Sequence, residues 1–211
     1  MIRYFLVLAV TGSSLLLADF VVGFLAASEP RGPGSVWRGV HVLFSLLTVL
    51  ALLAIHSIAY TYFMATLKWA KEVARVYELP DWLVAQGTRN KRRAFRFIMG
   101  SMTAVAVTAW LGAAADTRGG SYGAWHLWVA SLTLAFNFVS FVVEYLGIVA
   151  HHRLLSEMKT RADRMREERY GAEVAARTSL CPARPPAHPN DPPPRFPSTE
   201  ERPRRCRRLR L

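Results

Sequence analysis

The 211-residue chain carries 27 Lys and Arg against 15 Asp and Glu, a net charge of +12, yet 52% of its residues are hydrophobic. Its only two cysteines, Cys181 and Cys206, exclude a disulfide framework and a CxxCH haem attachment. The basic excess suggests no nucleic acid, because no fold for that purpose is visible. Instead, four runs are long enough to cross a hydrocarbon core, which needs about 20 mostly apolar residues.

The first run extends roughly from Arg3 to Ala27 and contains one charge deep inside it, Asp19. A basic start and Ala26-Ala27-Ser28 would also suit a cleaved secretory signal. The apolar stretch continues past Asp19 through Val21, Val22, Phe24 and Leu25, longer than a usual signal core, and this favours a retained helix. The second run, Val36 to Met64, carries His41, Ser45, Thr48 and His56 along one helical face.

Met64 to Leu79 then reads as an amphipathic connector, with Trp69, Val73, Val76 and Tyr77 on one face and Lys68, Lys71, Glu72 and Arg75 around the rest. That pattern suits an interfacial helix on anionic headgroups of the inner leaflet. Leu79-Pro80-Asp81 ends it, with Asp81 placed to cap the next helix. The third run, Ala94 to Ala115, shows Gly100, Ala104, Thr108 and Gly112 at successive i+4 positions, a seam for close helix packing.

The fourth run, Ala124 to Ala150, holds His126, Thr133, Asn137, Ser140 and Glu144 on one face. A charged helix is expected over 153–178, supported by the Glu157/Arg161 pair. From 179 to 211 proline and arginine dominate, and such a segment buries too little apolar surface to fold, so a disordered tail is expected.

Eight Lys and Arg lie between Ala65 and Arg96, fifteen follow His151, and the two remaining connections hold only Arg31, Arg38 and Arg118. Cytoplasmic loops are enriched in Lys and Arg. Both termini and the middle connection are therefore expected inside, in a bacterial inner membrane. The expected fold is an all-α bundle of four transmembrane helices.

The two hairpins resemble a tandem repeat. Trp37 stands four residues before His41 and Tyr122 four before His126, and each histidine is followed seven residues later by a threonine, Thr48 or Thr133. Polar groups in hydrocarbon are costly and face the bundle interior, so the second and fourth helices should turn these stripes toward each other. His41 and His126 then share a depth near the outer surface, where two neutral imidazoles on facing helices suit the axial ligands of a b-type haem. Asp19 would orient one of them as a hydrogen-bond acceptor. His56 and Glu144 share a depth nearer the inner surface, as an acid/base pair able to relay protons or sit beside a quinone.

No phosphate loop, nucleophile elbow or zincin helix is present, and an enzyme with its own chemistry is not expected. The expected function is transmembrane electron transfer through haem b, linked to quinone. Two alternatives use the same residues: a non-catalytic structural or assembly subunit of a larger membrane complex or homo-oligomer, and a proton or metal-ion transporter.

Overall fold

The computed structural model describes residues 1–29 and 36–180, with side chains described as far as residue 176. It consists of four helices, α1 (Ile2–Ser28), α2 (Val36–Val76), α3 (Asp81–Arg118) and α4 (Tyr122–Leu180). No strand occurs among the described residues. All four helices are long and apolar enough to cross a membrane, and the chain is an all-α integral membrane protein.

The distribution of side chains is inverted relative to a water-soluble bundle. Leu43, Leu46, Leu47 and Leu50 of α2 are exposed, whereas Thr48, Ser101, Thr133, Asn137, Ser140 and Glu144 are buried. Hydrocarbon offers no hydrogen-bond partner, so polar groups turn inward and apolar ones outward. Trp37, Trp110, Trp125 and Trp128 are exposed near one end, as in an interfacial aromatic belt.

One compact unit comprises Met1–Arg166. Within it α2 packs against both α1 and α3. The missing Cβ of Gly12 on α1 lets Ile55 of α2 and Phe141 of α4 approach; a methyl there would lie 2.8 Å and 3.1 Å from their side chains. Gly100 on α3 receives Phe136 of α4 in the same way, so the small-residue seam of α3 faces α4. Phe5, Leu52, Phe63, Ile98, Phe141 and Ile148 form the main core.

The stretch expected as a separate interfacial helix, Met64 to Leu79, continues α2 without a break to Val76. At 1.5 Å per residue a 41-residue helix is about 60 Å long, roughly twice the hydrocarbon thickness. The reason lies on its inner face: Ala70 and Ala74 pack with Leu79, Leu83, Leu154 and Met158, giving the end of α2, the start of α3 and the continuation of α4 a small core of their own. We call this end the stalk. The charged helix expected over 153–178 is likewise a continuation of α4. The second unit, from Glu167 onward, carries α4 to Leu180. Residues 181–211, most of the expected tail, lie outside the described residues.

The α2–α3 turn is closed by two hydrogen bonds, Tyr77 N–H to Val73 O at 3.0 Å and Leu79 N–H to Ala74 O at 3.0 Å. Glu78 takes a left-handed φ of 50° between them, the position usually filled by glycine at a helix C-terminus. Pro80 then prevents continuation and is itself the residue preceding α3, while Asp81 is the first residue of the helix and makes no side-chain cap. A left-handed non-glycine residue costs about 1–2 kcal/mol, part of which glycine loses again through a more flexible unfolded chain. Glu78→Gly should therefore raise stability by about 0.5–1 kcal/mol, measured by denaturant unfolding in mild detergent.

Candidate functional site

Two polar layers occupy the interior. In the layer away from the stalk, His41 of α2 and His126 of α4 meet with ring centroids 6.4 Å apart and planes inclined at 62°. Each ring rests on a glycine of the preceding helix. A methyl on Gly23 would lie 3.1 Å from Cε1 of His41, and one on Gly112 would lie 3.1 Å from Cε1 of His126. A methyl at either position would require the imidazole to shift by a few tenths of an ångström away from the glycine's helix.

Hydrogen bonds assign the protons of both rings. Ser45 Oγ donates to Asp19 Oδ1 at 2.7 Å, which leaves His41 Nδ1–H as the donor toward Asp19 Oδ1 at 3.3 Å and Ser45 Oγ at 3.2 Å. Across the bundle, His126 Nδ1 lies 3.2 Å from the backbone oxygen of Thr108, which can only accept. A neutral imidazole carries one N–H, so each ring keeps a lone pair on Nε2. Nδ1 tied to an acceptor and Nε2 left basic is the arrangement found in metal-bound histidines.

The two half-sites obey one rule. Asp19 stands four residues before Gly23, and Thr108 four residues before Gly112; the first residue of each pair anchors an Nδ1 and the second supports the ring. The repeat suggested by Trp37, His41 and Thr48 against Tyr122, His126 and Thr133 thus extends to α1 and α3. Asp19 and Thr108 differ as acceptors, a carboxylate against a backbone carbonyl, so the two imidazoles are placed alike but not polarised alike.

Packing around this layer is unusual. From Thr48, Val105 and Thr133 to the end of the bundle away from the stalk, the buried hydrophobic residues among those described are Ala26 and Ala114 alone. The large buried side chains lie on the stalk side of that level. No group of three or more His, Cys, Asp or Glu able to hold a metal ion occurs among the described residues. An apolar groove of about 640 Å³ between α3 and α4, lined by Met99, Gly100, Phe136 and others, opens outward beside Thr133 and does not include either imidazole.

The second layer lies mid-bundle. His56 Nδ1 is 2.9 Å from Glu144 Oε1, and its Nε2 is 3.1 Å from Asn137 Oδ1; all three residues are fully buried. The ring of Phe141 stacks on the imidazole at 5.1 Å and 11°. Glu144 Oε2 and the hydroxyls of Ser101, Ser140 and Thr48 are buried without a partner. Tyr60, one turn beyond His56, is exposed and packs against Phe95.

The structure therefore brings together each pair named from the sequence, His41 with His126 and His56 with Glu144, and puts Asp19 beside His41. Gly23, Ser45 and Thr108 went unnoticed as parts of the site. Asn137 was visible as a member of the α4 stripe, but not as the partner of His56. His151 is fully buried against α2, its Nε2 3.0 Å from Thr66 Oγ1. His152 next to it is exposed.

Replacing Glu144 by Gln keeps a neutral hydrogen-bonding group opposite His56 and should cost little stability. Glu144→Leu strands the imidazole and should cost about 1–3 kcal/mol. A double-mutant cycle of His56→Ala with Glu144→Ala should give a coupling of about 0.5–3 kcal/mol; additive effects would mean that the contact contributes nothing.

Comparison with known proteins finds no matching family, no matching curated protein and no matching solved structure.

Proposed function

We propose that the chain is a b-type cytochrome-like membrane protein that holds one haem between α2 and α4 and passes electrons through it. The observation that carries this reading is the pair of inward imidazoles, His41 and His126, each anchored through Nδ1 and each with a free Nε2. Two imidazoles binding one metal from opposite sides, with metal–nitrogen bonds of about 2 Å, place their centroids roughly 6 Å apart. The observed 6.4 Å matches that span.

Chemistry favours haem over a bare ion. A zinc or copper ion takes most of its ligands from the protein, and only two histidines converge here. Haem needs just two axial ligands, because the macrocycle supplies the rest. The scarcity of large buried side chains at this level also fits an apolar group that completes the core. When bound, haem would supply a one-electron redox centre whose potential the axial ligands and their hydrogen bonds tune; Asp19, as an anionic acceptor on His41, makes that ligand the stronger donor.

Orientation follows from charge. The stalk end bears the Lys and Arg of the α2–α3 connection and of α4, so it faces the cytoplasm and the histidine pair lies toward the opposite surface of a bacterial inner membrane. A quinone dissolved in the bilayer would be a suitable electron partner, and anionic headgroups would bind the basic stalk. A second reading, an assembly subunit of a larger complex, is favoured by the stalk itself, which has its own core and carries α2 well past the length a span needs.

Expression with ample haem should yield a protein with a reducible Soret band. His41→Ala and His126→Ala should abolish haem retention, whereas His152→Ala, at an exposed position, should retain it. Equal haem occupancy in all three variants, or none in the wild type, overturns the assignment. Reporter fusions should place Gly119 outside and Gly87 inside; the reverse pattern overturns the orientation.

A further inference from the structure

The buried pair His56 and Glu144 has no role in holding a cofactor, and its hydrogen bonds fix how many protons it can carry. Asn137 Nδ2 donates to the backbone oxygen of Thr133 at 2.9 Å. That commitment turns Asn137 Oδ1, an acceptor only, toward His56 Nε2. Nε2 must then be protonated. The remaining contact, His56 Nδ1 to Glu144 Oε1 at 2.9 Å, cannot hold with no proton, since a lone pair would face a carboxylate oxygen.

With one proton the contact is satisfied and the pair is neutral. With two, the same heavy-atom positions still serve: Nδ1–H donates to Oε1, Nε2–H donates to Asn137, and the second proton resides on Glu144 Oε2. That oxygen is the one left without a partner. The site can therefore change its charge by one without moving a side chain.

No competing charge shares this depth. Between Arg3 and Asp19 α1 has none, nor does α2 between Arg38 and Lys68 or α3 between Arg96 and Asp116; on α4 Glu144 stands alone before Arg153. The remaining titratable groups in these stretches are the phenols of Tyr4, Tyr60, Tyr62, Tyr122 and Tyr145, and the histidines already described.

In the internal repeat no member of the polar triad has a polar counterpart in the other half. Residues 85 positions apart on α2 and α4 are equivalent, as His41 and His126 are; by the same spacing Asn137 matches Leu52, Glu144 matches Ala59 and His56 matches Phe141. Apolar residues thus fill the equivalent positions in the other half. A structural clasp alone would not need an ionisable acid where alanine packs.

We infer that His56 and Glu144 form a proton-loading site that takes up a second proton from water when the haem centre between His41 and His126 is reduced. The electron comes from an external donor, a quinol in the membrane or dithionite in the cuvette. One negative charge added at the outer layer is balanced by one proton added to the pair, and reoxidation by an external one-electron acceptor, ferricyanide in the cuvette, releases it. The proposal rests on the haem reading above.

The test is a redox titration of the haem-loaded full chain at several pH values, followed at the Soret band. Because the reduced protein binds one more proton, the wild-type midpoint potential should fall as pH rises. Glu144→Gln should retain haem and at least halve the slope, and His56→Gln should do the same. Infrared difference spectra between the two redox states should show a carboxyl signal that Glu144→Gln removes. A wild-type protein without haem overturns the haem reading and this inference together. Haem bound normally, with a flat wild-type potential or with unchanged slope and carboxyl signal in Glu144→Gln, overturns the proton-loading site and leaves the haem reading standing.

Discussion

A polar side chain inside hydrocarbon has no water to bond, and the bundle is organised by that constraint. Thr133, Asn137 and Glu144 of the α4 stripe find partners on other helices. These are His56 on α2 and Thr108 on α3, whose hydroxyl lies 2.7 Å from that of Thr133. Once these bonds lock α4 against α2 and α3, the rotation of α4 is set, and His126 can only point at His41. The His41–His126 pair thus depends on the mid-bundle contacts for its alignment. Leucines on the opposite faces are free to meet lipid because they have no role in register.

Two kinds of layer result. The layer away from the stalk is built twice from similar parts: an acceptor, a supporting glycine four residues later, and a histidine on the next helix. The mid-bundle layer is asymmetric, with an imidazole from the first half and an amide and a carboxyl from the second. The first layer follows the resemblance between the two hairpins; the second departs from it, since Leu52 and Ala59 stand at the positions equivalent to Asn137 and Glu144.

Much of this was legible in the sequence because the signals lie along single helices. The spacing of His126, Thr133, Asn137, Ser140 and Glu144 defines one face whatever surrounds it, and counting residues from a helix end gives depth. Contacts across helices were harder to see. That Gly23 supports His41 depends on how α1 rolls against α2, which no single-helix period encodes; the glycines of α3 read only as a packing seam. His151 is buried although hydropathy ends at Ala150, because burial continues into the stalk, where Leu154 and Met158 are covered by protein. The connector shows the same ambiguity: an amphipathic face does not say whether its apolar side meets headgroups or another helix, and here Ala70 and Ala74 meet α3 and α4 while Trp69 and Val76 stay exposed.

The placement of each imidazole against its own hairpin has a consequence for assembly. His41 is held by α1 and His126 by α3, so each hairpin is a finished half-socket before the two halves meet. A ligand gripped by both rings would act as a rivet across the hairpin–hairpin seam, gaining its second bond only when the halves close. Its binding free energy and that of hairpin association would then be one linked quantity, and loss of the ligand would loosen the seam while leaving each hairpin intact.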